Sequence, residues 1–436
     1  MNPLRLGVCA AALLSLAACG GPKPIDPHRQ IGPNPYLPDI HQYLMPPMHV
    51  PKITPWDGAT PTVPAGMQIQ ALASGLRNPR SLYVLPNGDV LVAESDGPKA
   101  PINRPKEFVM NLVEKQAHSA TKAGNRILLI RMGPDGHAAG PPTVFIDHLH
   151  SPFGMVLVGN DFYVADTDAV LRFPYQTGQT SIAAPGVKLT DLPGGPIDHH
   201  WTKSLTASPD GTKLYAGVGS NSNITENGMP AEYERACIWE IDRNTGAHRL
   251  YATGLRNPNG LQFEPTTHVL WAVINERDEL GPDLVPDYMT SVKDGAFYGW
   301  PYSYYGQHVD PRVMPQRPDL VAKAIPPDYA LSSHVAPLGM VFSNATSLPA
   351  AYRGGAFVGE HGSWDRSVLN GYKVVYIPFT SGQPSGAPQD VVTGFLAGDN
   401  KVHGRPVGLA VDGGGGLLIA DDVGNTVWRV TAAGKP

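Results

Sequence analysis

At 436 residues the chain is long enough for one large domain or a few small ones, and a 42% hydrophobic share suffices for a substantial core. Charged residues make up only 16%, against 48 glycines and 45 prolines, a balance that favours turns over long helices and points to an all-β fold. The formal charge of −5 is spread without obvious runs, so nothing in it calls for nucleic acid or a strongly acidic partner.

The N-terminus reads "MNPLRLGVCAAALLSLAACGG", with one positive charge at Arg5, an apolar run from Leu6 to Ala18, and Cys19 preceded by Leu16-Ala17-Ala18. This resembles a bacterial lipoprotein signal: residues 1–18 are cleaved, and lipidation at Cys19 anchors the protein to a membrane from the periplasmic side. A plain secretory signal is the alternative, giving a soluble periplasmic or secreted protein. The run is shorter than the ~20 apolar residues a spanning helix needs. Removal of Cys9 with the signal leaves Cys237 alone in the globular part, so no internal disulfide is expected there. Residues 19–64, rich in proline, read as an extended tether that wraps along the body, with Tyr43, Met45, Met48 and Trp56 available to pack on it.

From residue 65 to 436 one phrase recurs: "NPRSLYV" at Asn78, "SPFGMVL" at Ser151, "WTKSLTA" at Trp201, "NPNGLQF" at Asn257, "APLGMVF" at Ala336 and "RPVGLAV" at Arg405. These six copies of a small residue followed by Leu or Met are spaced about 50 to 80 residues apart, which indicates a repeat architecture. Each runs on into a second β-rich segment: "VLVAES", "FYVADT", "KLYAGVGS", "LWAVINE", "AFVGEHG" and "LLIADD". That is hairpin grammar. The fold it predicts is an all-β, six-bladed β-propeller closed by pairing of the last strand, near Trp428, with residues from the first blade. Seven or eight blades, or a stack of sandwiches, are the alternatives. Residues 108–113 have helix-like spacing inside a loop excursion, and a second excursion carries the aromatics Tyr288, Phe297, Tyr298, Trp300, Tyr302, Tyr304 and Tyr305.

A propeller gathers the residues flanking its strand phrases around one axis, so those residues are the site candidates. His199 and His200 precede the third phrase; a neutral imidazole suits a general base at pH 7, with Trp201 and Lys203 as a flat surface and a cation beside it. Arg256, Asn257 and Arg405 occupy corresponding places in other repeats, and several guanidinium forks aimed at one axis suit an anionic ligand. Each arginine has an alternative use, holding a neighbouring loop through backbone carbonyls. "INERDELGPDLVPDY" gathers Glu276, Asp278, Glu279, Asp283 and Asp287, a composition that would serve calcium or be a solvated acidic loop. "GEHGSWDR" places Glu360, His361, Ser363, Asp365 and Arg366 together, which leaves a Ser-His-Asp arrangement or metal binding by His361 open.

Taken together, "HWTKSLTASPDGTKLYAGVGSNSN", "GLRNPNGLQFEP", "LWAVINERDELGPDLVPDY", "YGWPYSYYG", "YRGGAFVGEHGSWDR" and "GRPVGLAV", in one order from about Gly66 to Val430, resemble the L-sorbosone dehydrogenase branch of the soluble quinoprotein sugar dehydrogenases. The resemblance implies a six-bladed propeller that binds pyrroloquinoline quinone (PQQ) and Ca2+ in its central channel and oxidises a sugar or sugar-derived aldehyde. It makes His200 the base and Arg256 a catalytic and cofactor contact. Asn257, Arg405, Lys203, Asn223, His361 and His403 become further cofactor contacts, and the loop of Glu276, Arg277, Asp278 and Glu279 becomes the source of calcium-binding oxygens. Tyr298 to Tyr305 would wall the substrate. His403 stands where glucose dehydrogenase has an arginine. The electron acceptor is not implied. The alternative functions are a calcium-dependent lactonase or other hydrolase on the same fold, and a non-catalytic ligand-binding lipoprotein.

Overall fold

The structure is a computed structural model that describes residues 25–41, 49–98, 122–343, 345–366, 368–398 and 400–434. The signal, Cys19, Tyr43, Met45, Met48 and the helix expected at 108–113 lie outside the described residues.

The six phrases are the first strands of six antiparallel sheets. Blade 1 comprises Pro79–Val84, Val90–Glu94, Arg126–Ile130 and Thr143–Ile146, and blade 2 comprises Gly154–Val158, Asp161–Ala165, Ala169–Pro174 and Val187–Asp191. Blade 3 is Leu205–Ala207, Lys213–Val218, Cys237–Asp242 and His248–Thr253; blade 4 is Pro258–Phe263, Leu270–Ile274, Pro286–Ser291 and Tyr329–Ser333. Blade 5 is built on Pro337–Ser343, Gly355–Glu360, Lys373–Thr380 and Gln389–Val392. Blade 6 takes Pro406–Val411, Leu417–Asp421 and Thr426–Ala432 from the C-terminus and its outermost strand, Met67–Ser74, from the N-terminal side. Met67 pairs with Ala432 and Ser74 with Thr426, which fastens the ring. First strands of successive blades touch in an unbroken circuit, blade 6 against blade 1 included.

The recurring phrase has a packing explanation. Its Leu or Met (Leu82, Met155, Leu205, Leu261, Met340, Leu409) is buried in every blade, one in each of six apolar clusters that cement neighbouring blades. Truncating one to alanine would cost about 2–5 kcal/mol. The preceding small residue marks where two blades touch at the axis. A Cβ at Gly339 would lie 2.1 Å from the Val407 carbonyl oxygen, and one at Gly408 would lie 2.5 Å from that of Arg80. The residue before the small one is Phe153, Leu338 and Val407 in blades 2, 5 and 6, and these three form an apolar cluster of their own. Since blades 2 and 5 are opposite in the ring, that cluster spans the channel.

The described parts of the tether lie on the body. Ile31–Gly32 adds a fifth strand to blade 4, Lys52–Ile53 runs parallel to Lys401–Val402, and Thr62 bridges Thr393. Trp56 donates its indole N–H to Asp421 Oδ2 (2.9 Å) and packs edge-on against Phe395 and Trp428.

Candidate active site

First and second strands of a blade are antiparallel, so the start of one and the end of the other lie at the same end of the ring. His200, Arg256, Asn257 and Arg405 precede first strands; Asn223, Glu276 to Glu279, His361 and Asp422 follow second strands. The topology therefore brings residues from blades 3, 4, 5 and 6 to one mouth, where Arg80 at the start of blade 1's first strand joins them.

His200 is half-buried, and its Nδ1 lies 2.7 Å from the Ser220 carbonyl oxygen. A carbonyl only accepts, so Nδ1 carries the hydrogen and Nε2 presents a lone pair. Burial, then the charge of Arg256, holds the imidazole well below its ordinary pKa and keeps it neutral. The Asn257 side chain stands beside it across Gly219, where a Cβ would meet both His200 Cβ and Asn257 Oδ1.

Arg256 is saturated by the protein. Its Nε donates to the Asn223 carbonyl (3.1 Å), Nη1 to the carbonyls of Asn275 (3.3 Å) and Glu276 (2.6 Å), and Nη2 to Asn223 Oδ1 (3.1 Å) and Asp278 Oδ2 (3.3 Å). It locks the blade 3 loop to the blade 4 loop. Asn223 shares in the lock: its Nδ2 donates to the Asp278 carbonyl, and Trp300 donates its indole N–H to the Asn223 carbonyl.

Across the mouth a second cluster centres on Asp422, whose Oδ2 accepts from Arg80 Nη1 (2.5 Å) and lies 2.9 Å from His361 Nε2. Burial alone would raise the Asp422 pKa; His361, Arg80 and Arg405 instead hold it well below the carboxylate range. Burial lowers His361 to about 4. Arg405 donates to the Tyr372 hydroxyl (3.0 Å), and Arg80 lies over the Trp201 ring, 5.5 Å from its centroid. Here the arginines are not saturated. The Nε of Arg80 and of Arg405, Asp422 Oδ1 and Asn257 Oδ1 are all buried without a hydrogen-bond partner among the described residues.

Other candidates are engaged elsewhere. Lys203 is fully buried, its ammonium on the Trp201 carbonyl (3.0 Å) and Asp198 (3.5 Å), which also pairs with Arg235 at 2.8 Å. Burial lowers its pKa to about 8, and its ammonium is already engaged by the Trp201 carbonyl and Asp198. His403 is taken by the tether: Nδ1 lies 3.0 Å from the Thr54 carbonyl oxygen, and its ring stacks on Trp56. Ser363 is buried, its hydroxyl accepting from the Asn370 amide, while His361 pairs with Asp422 and Asp365 with His334, so no Ser-His-Asp arrangement forms in "GEHGSWDR". Tyr298, Tyr304 and Tyr305 join the core between blades 3 and 4 instead of walling a substrate, because rings in a long loop are the cheapest filler for the space under it.

The loop from Glu276 to Glu279 does not form an oxygen cage. The carbonyls of Asn275 and Glu276 accept from Arg256, that of Asp278 from Arg277 and Asn223, and that of Glu279 from Arg312. Arg277 pairs with Asp310, Glu279 with Arg312, and the buried Glu276 carboxyl, lifted to about 7 by desolvation, accepts from the Arg277 amide. Calcium takes six to eight oxygens, and these residues do not assemble them. Asp278 alone of the four belongs to a group that could hold a cation, with His334 and Asp365.

Arg80, Asp422 and His334 went unrecognised in the sequence. Arg80 stands immediately before the small residue of the first phrase, the place taken by the axial Phe153, Leu338 and Val407. His334 precedes "PLGMVF" by the interval at which His403 precedes "PVGLAV". Both signals are register positions in the repeat.

A family model described as Glucose / Sorbosone dehydrogenase matches residues 76–364, and one described as TrAA12-like matches residues 318–433. A protein of Borreliella burgdorferi is 30% identical over 241 residues, which is 55% of this chain and 62% of its own length. The aldose sugar dehydrogenase YliI of Escherichia coli is 28% identical over 109 residues, 24% of this chain and 28% of its own. The chain thus spans less than two thirds of either relative. The holo form of the pyranose dehydrogenase PQQ domain from Coprinopsis cinerea superposes with a TM-score of 0.69 at 19% identity, over 85% of this chain and 97% of that one. The PQQ-bound form of aldose sugar dehydrogenase from Streptomyces coelicolor does so with a TM-score of 0.56 at 16% identity, over 85% and 99%. At these identities the superpositions speak to the fold.

Proposed function

Because the chain belongs to the glucose/sorbosone dehydrogenase family, we propose that it is an oxidoreductase that oxidises a sugar or sugar-derived aldehyde, with PQQ as its electron-accepting cofactor. The observation that carries this reading is the pair of buried guanidinium Nε–H donors on Arg80 and Arg405 that have no partner among the described residues, at the same mouth as the lone pair of His200. A buried cation with a donor left over is costly. Carboxylates are the partners that satisfy it.

The residues fit a flat polycarboxylate. Arg80 and Arg405 would take its carboxylates, the unpartnered Asn257 Oδ1 would accept from a ring N–H, and Trp201 supplies a flat neighbour. Such a quinone, when bound, supplies a two-electron acceptor for hydride. His200 Nε2 takes the hydroxyl proton of the sugar or hydrated aldehyde. The Ser220 carbonyl holds the tautomer that makes this transfer possible, and Arg256 keeps the resting imidazole uncharged. Asp278, close enough to favour the charged ring, offsets part of that bias once the proton has arrived. The calcium expected from the sequence finds no oxygen cage at 276–279, and no step is derived through it.

The test is reconstitution of purified protein with PQQ, with and without Ca2+, against a panel of aldoses, sorbosone and simple aldehydes, with an artificial dye as acceptor. Quinone-dependent dye reduction is the expected result, and the preferred substrate decides whether the sorbosone-like branch applies. Absence of quinone binding would sink the reading, and turnover of a lactone without quinone would replace it with the hydrolase. Export and anchoring through a lipid on Cys19 form part of the proposal; Cys19→Ala should move the protein from the membrane to the soluble fraction. Among the described residues no helix is long and apolar enough to cross a membrane.

A further inference from the structure

Beside Arg256, and outside the arginine cluster at Asp422, three side chains from different loops converge. Asp278 follows the second strand of blade 4, His334 follows its fourth strand, and Asp365 follows the second strand of blade 5. One ligand-type atom from each lies within 4.8 Å of the other two. We propose that Asp278, His334 and Asp365 bind a single divalent transition ion of the Zn2+, Mn2+ or Co2+ class.

The orientation of the imidazole carries the argument. His334 Nε2 lies 3.2 Å from the Gly281 carbonyl oxygen, which can only accept, so Nε2 bears the hydrogen. Nδ1 is thereby turned toward Asp278 Oδ1 at 3.4 Å and Asp365 Oδ2 at 3.3 Å; against the burial that disfavours it, the two carboxylates favour a proton on this ring in the ion-free protein, and an ion bound there takes the place of that proton on Nδ1. A backbone carbonyl that fixes the far nitrogen is the usual outer support of a metal-binding histidine. The two separations are long for charge-assisted hydrogen bonds, which run at about 2.7–2.9 Å. They match the spacing of about 3.3 Å between neighbouring ligands of a tetrahedral ion with bonds of about 2.0–2.1 Å.

A second, independent observation points the same way. Asp365 is 3% exposed, and its Oδ1 has no hydrogen-bond partner among the described residues. A carboxylate that is buried, aimed at a histidine and another carboxylate, and short of partners is what a missing cation would satisfy. The nitrogen in the set selects a borderline ion over calcium, which takes oxygen alone. Asp278 keeps 22% of its side-chain surface, so the ion is reached from the mouth, while its Oδ2 remains on Arg256.

The inference does not rest on the quinone, and its test uses none. Full-length protein stripped with a chelator is titrated with Co2+ and followed by visible absorption, and bound metal is counted by elemental analysis. One equivalent should bind with a ligand-field spectrum of low coordination number, and millimolar Ca2+ should not displace it. His334→Gln and Asp365→Asn should each weaken uptake at least tenfold while the circular dichroism spectrum stays that of the parent; should one variant fail to fold, the other carries the comparison. Uptake below a tenth of an equivalent in the parent protein would overturn the proposal, as would full uptake in a folded variant or displacement by Ca2+ at equal concentration. A failed sugar assay leaves all of these readouts in place.

Discussion

Arg256 and Arg405 both stand just ahead of a first strand, one in blade 4 and one in blade 6, yet the structure uses them differently. Arg256 donates every N–H the geometry resolves to protein oxygens of two loops. Arg405, like Arg80 of the adjoining blade 1, keeps a buried Nε without a partner among the described residues. The first is a fastener that sets the electrostatics of His200; the second pair is a receptor with donors to spare. A guanidinium at a channel mouth is thus no evidence of ligand contact until its donors have been counted.

Substitutions should separate the two halves. His200→Ala, which removes the base, should lower kcat of the reconstituted enzyme by about 10²–10⁴-fold with quinone affinity nearly unchanged; full turnover in the variant would refute the assignment. Arg405→Met should weaken quinone binding by about 10–100-fold, the worth of one charge-assisted hydrogen bond, in a protein that loses little thermal stability, whereas Arg80→Met would also break the buried pair with Asp422 and lower Tm. Arg256→Met should do the reverse and lower Tm by several degrees before any quinone is added, since it leaves the carbonyls of Asn275 and Glu276 and the Asp278 carboxylate unpaired. If Arg256→Met were as stable as the parent and Arg405→Met were not, Arg405 would be the fastener and Arg256 the receptor.

The fold was readable because its repeat has a steric cause. A small residue is compelled where inner strands touch, a Leu or Met is compelled where blades pack, and all six copies obey both demands, so the blade count and the strand pairs followed from the phrase; the strand that closes the ring, Met67–Ser74, comes from ahead of the first blade and not from within it. The site was readable only as far as residue type predicts position. His200, Arg256, Asn257 and Arg405 do meet at one mouth. Lys203 does not face a ligand, because its ammonium is claimed by Asp198 from five residues upstream. His403 was claimed by the tether, and Arg277 by Asp310, a residue in a separate loop. Those are choices among competing partners, settled in three dimensions. Asp422 was hidden for the opposite reason: at the end of "LLIADD" it looks like any turn aspartate until Arg80, more than 340 residues earlier, is folded onto it.

The smallest expected effect concerns blade 5, which links the two halves. Glu360 is 3% exposed at the end of its second strand, and its Oε2 has no partner among the described residues. Burial, aided by Asp390 and Asp287 against the pull of Lys373, lifts its pKa to about 8. The folded protein therefore holds a proton there that the unfolded chain releases near pH 4.5. Where the native state binds more protons than the unfolded one, stability falls as pH rises. This contribution is fully present below about pH 4.5 and is lost progressively as pH climbs to about 8. Glu360→Gln keeps the shape and cannot ionise. Its Tm should equal that of the parent at pH 5 and exceed it by about 2–5 °C at pH 8.5. Parallel Tm curves for the two proteins from pH 5 to 8.5 would mean that Glu360 is already ionised in the fold, and that the floor between the arginine receptor and the Arg256 fastener carries one more negative charge than its burial permits.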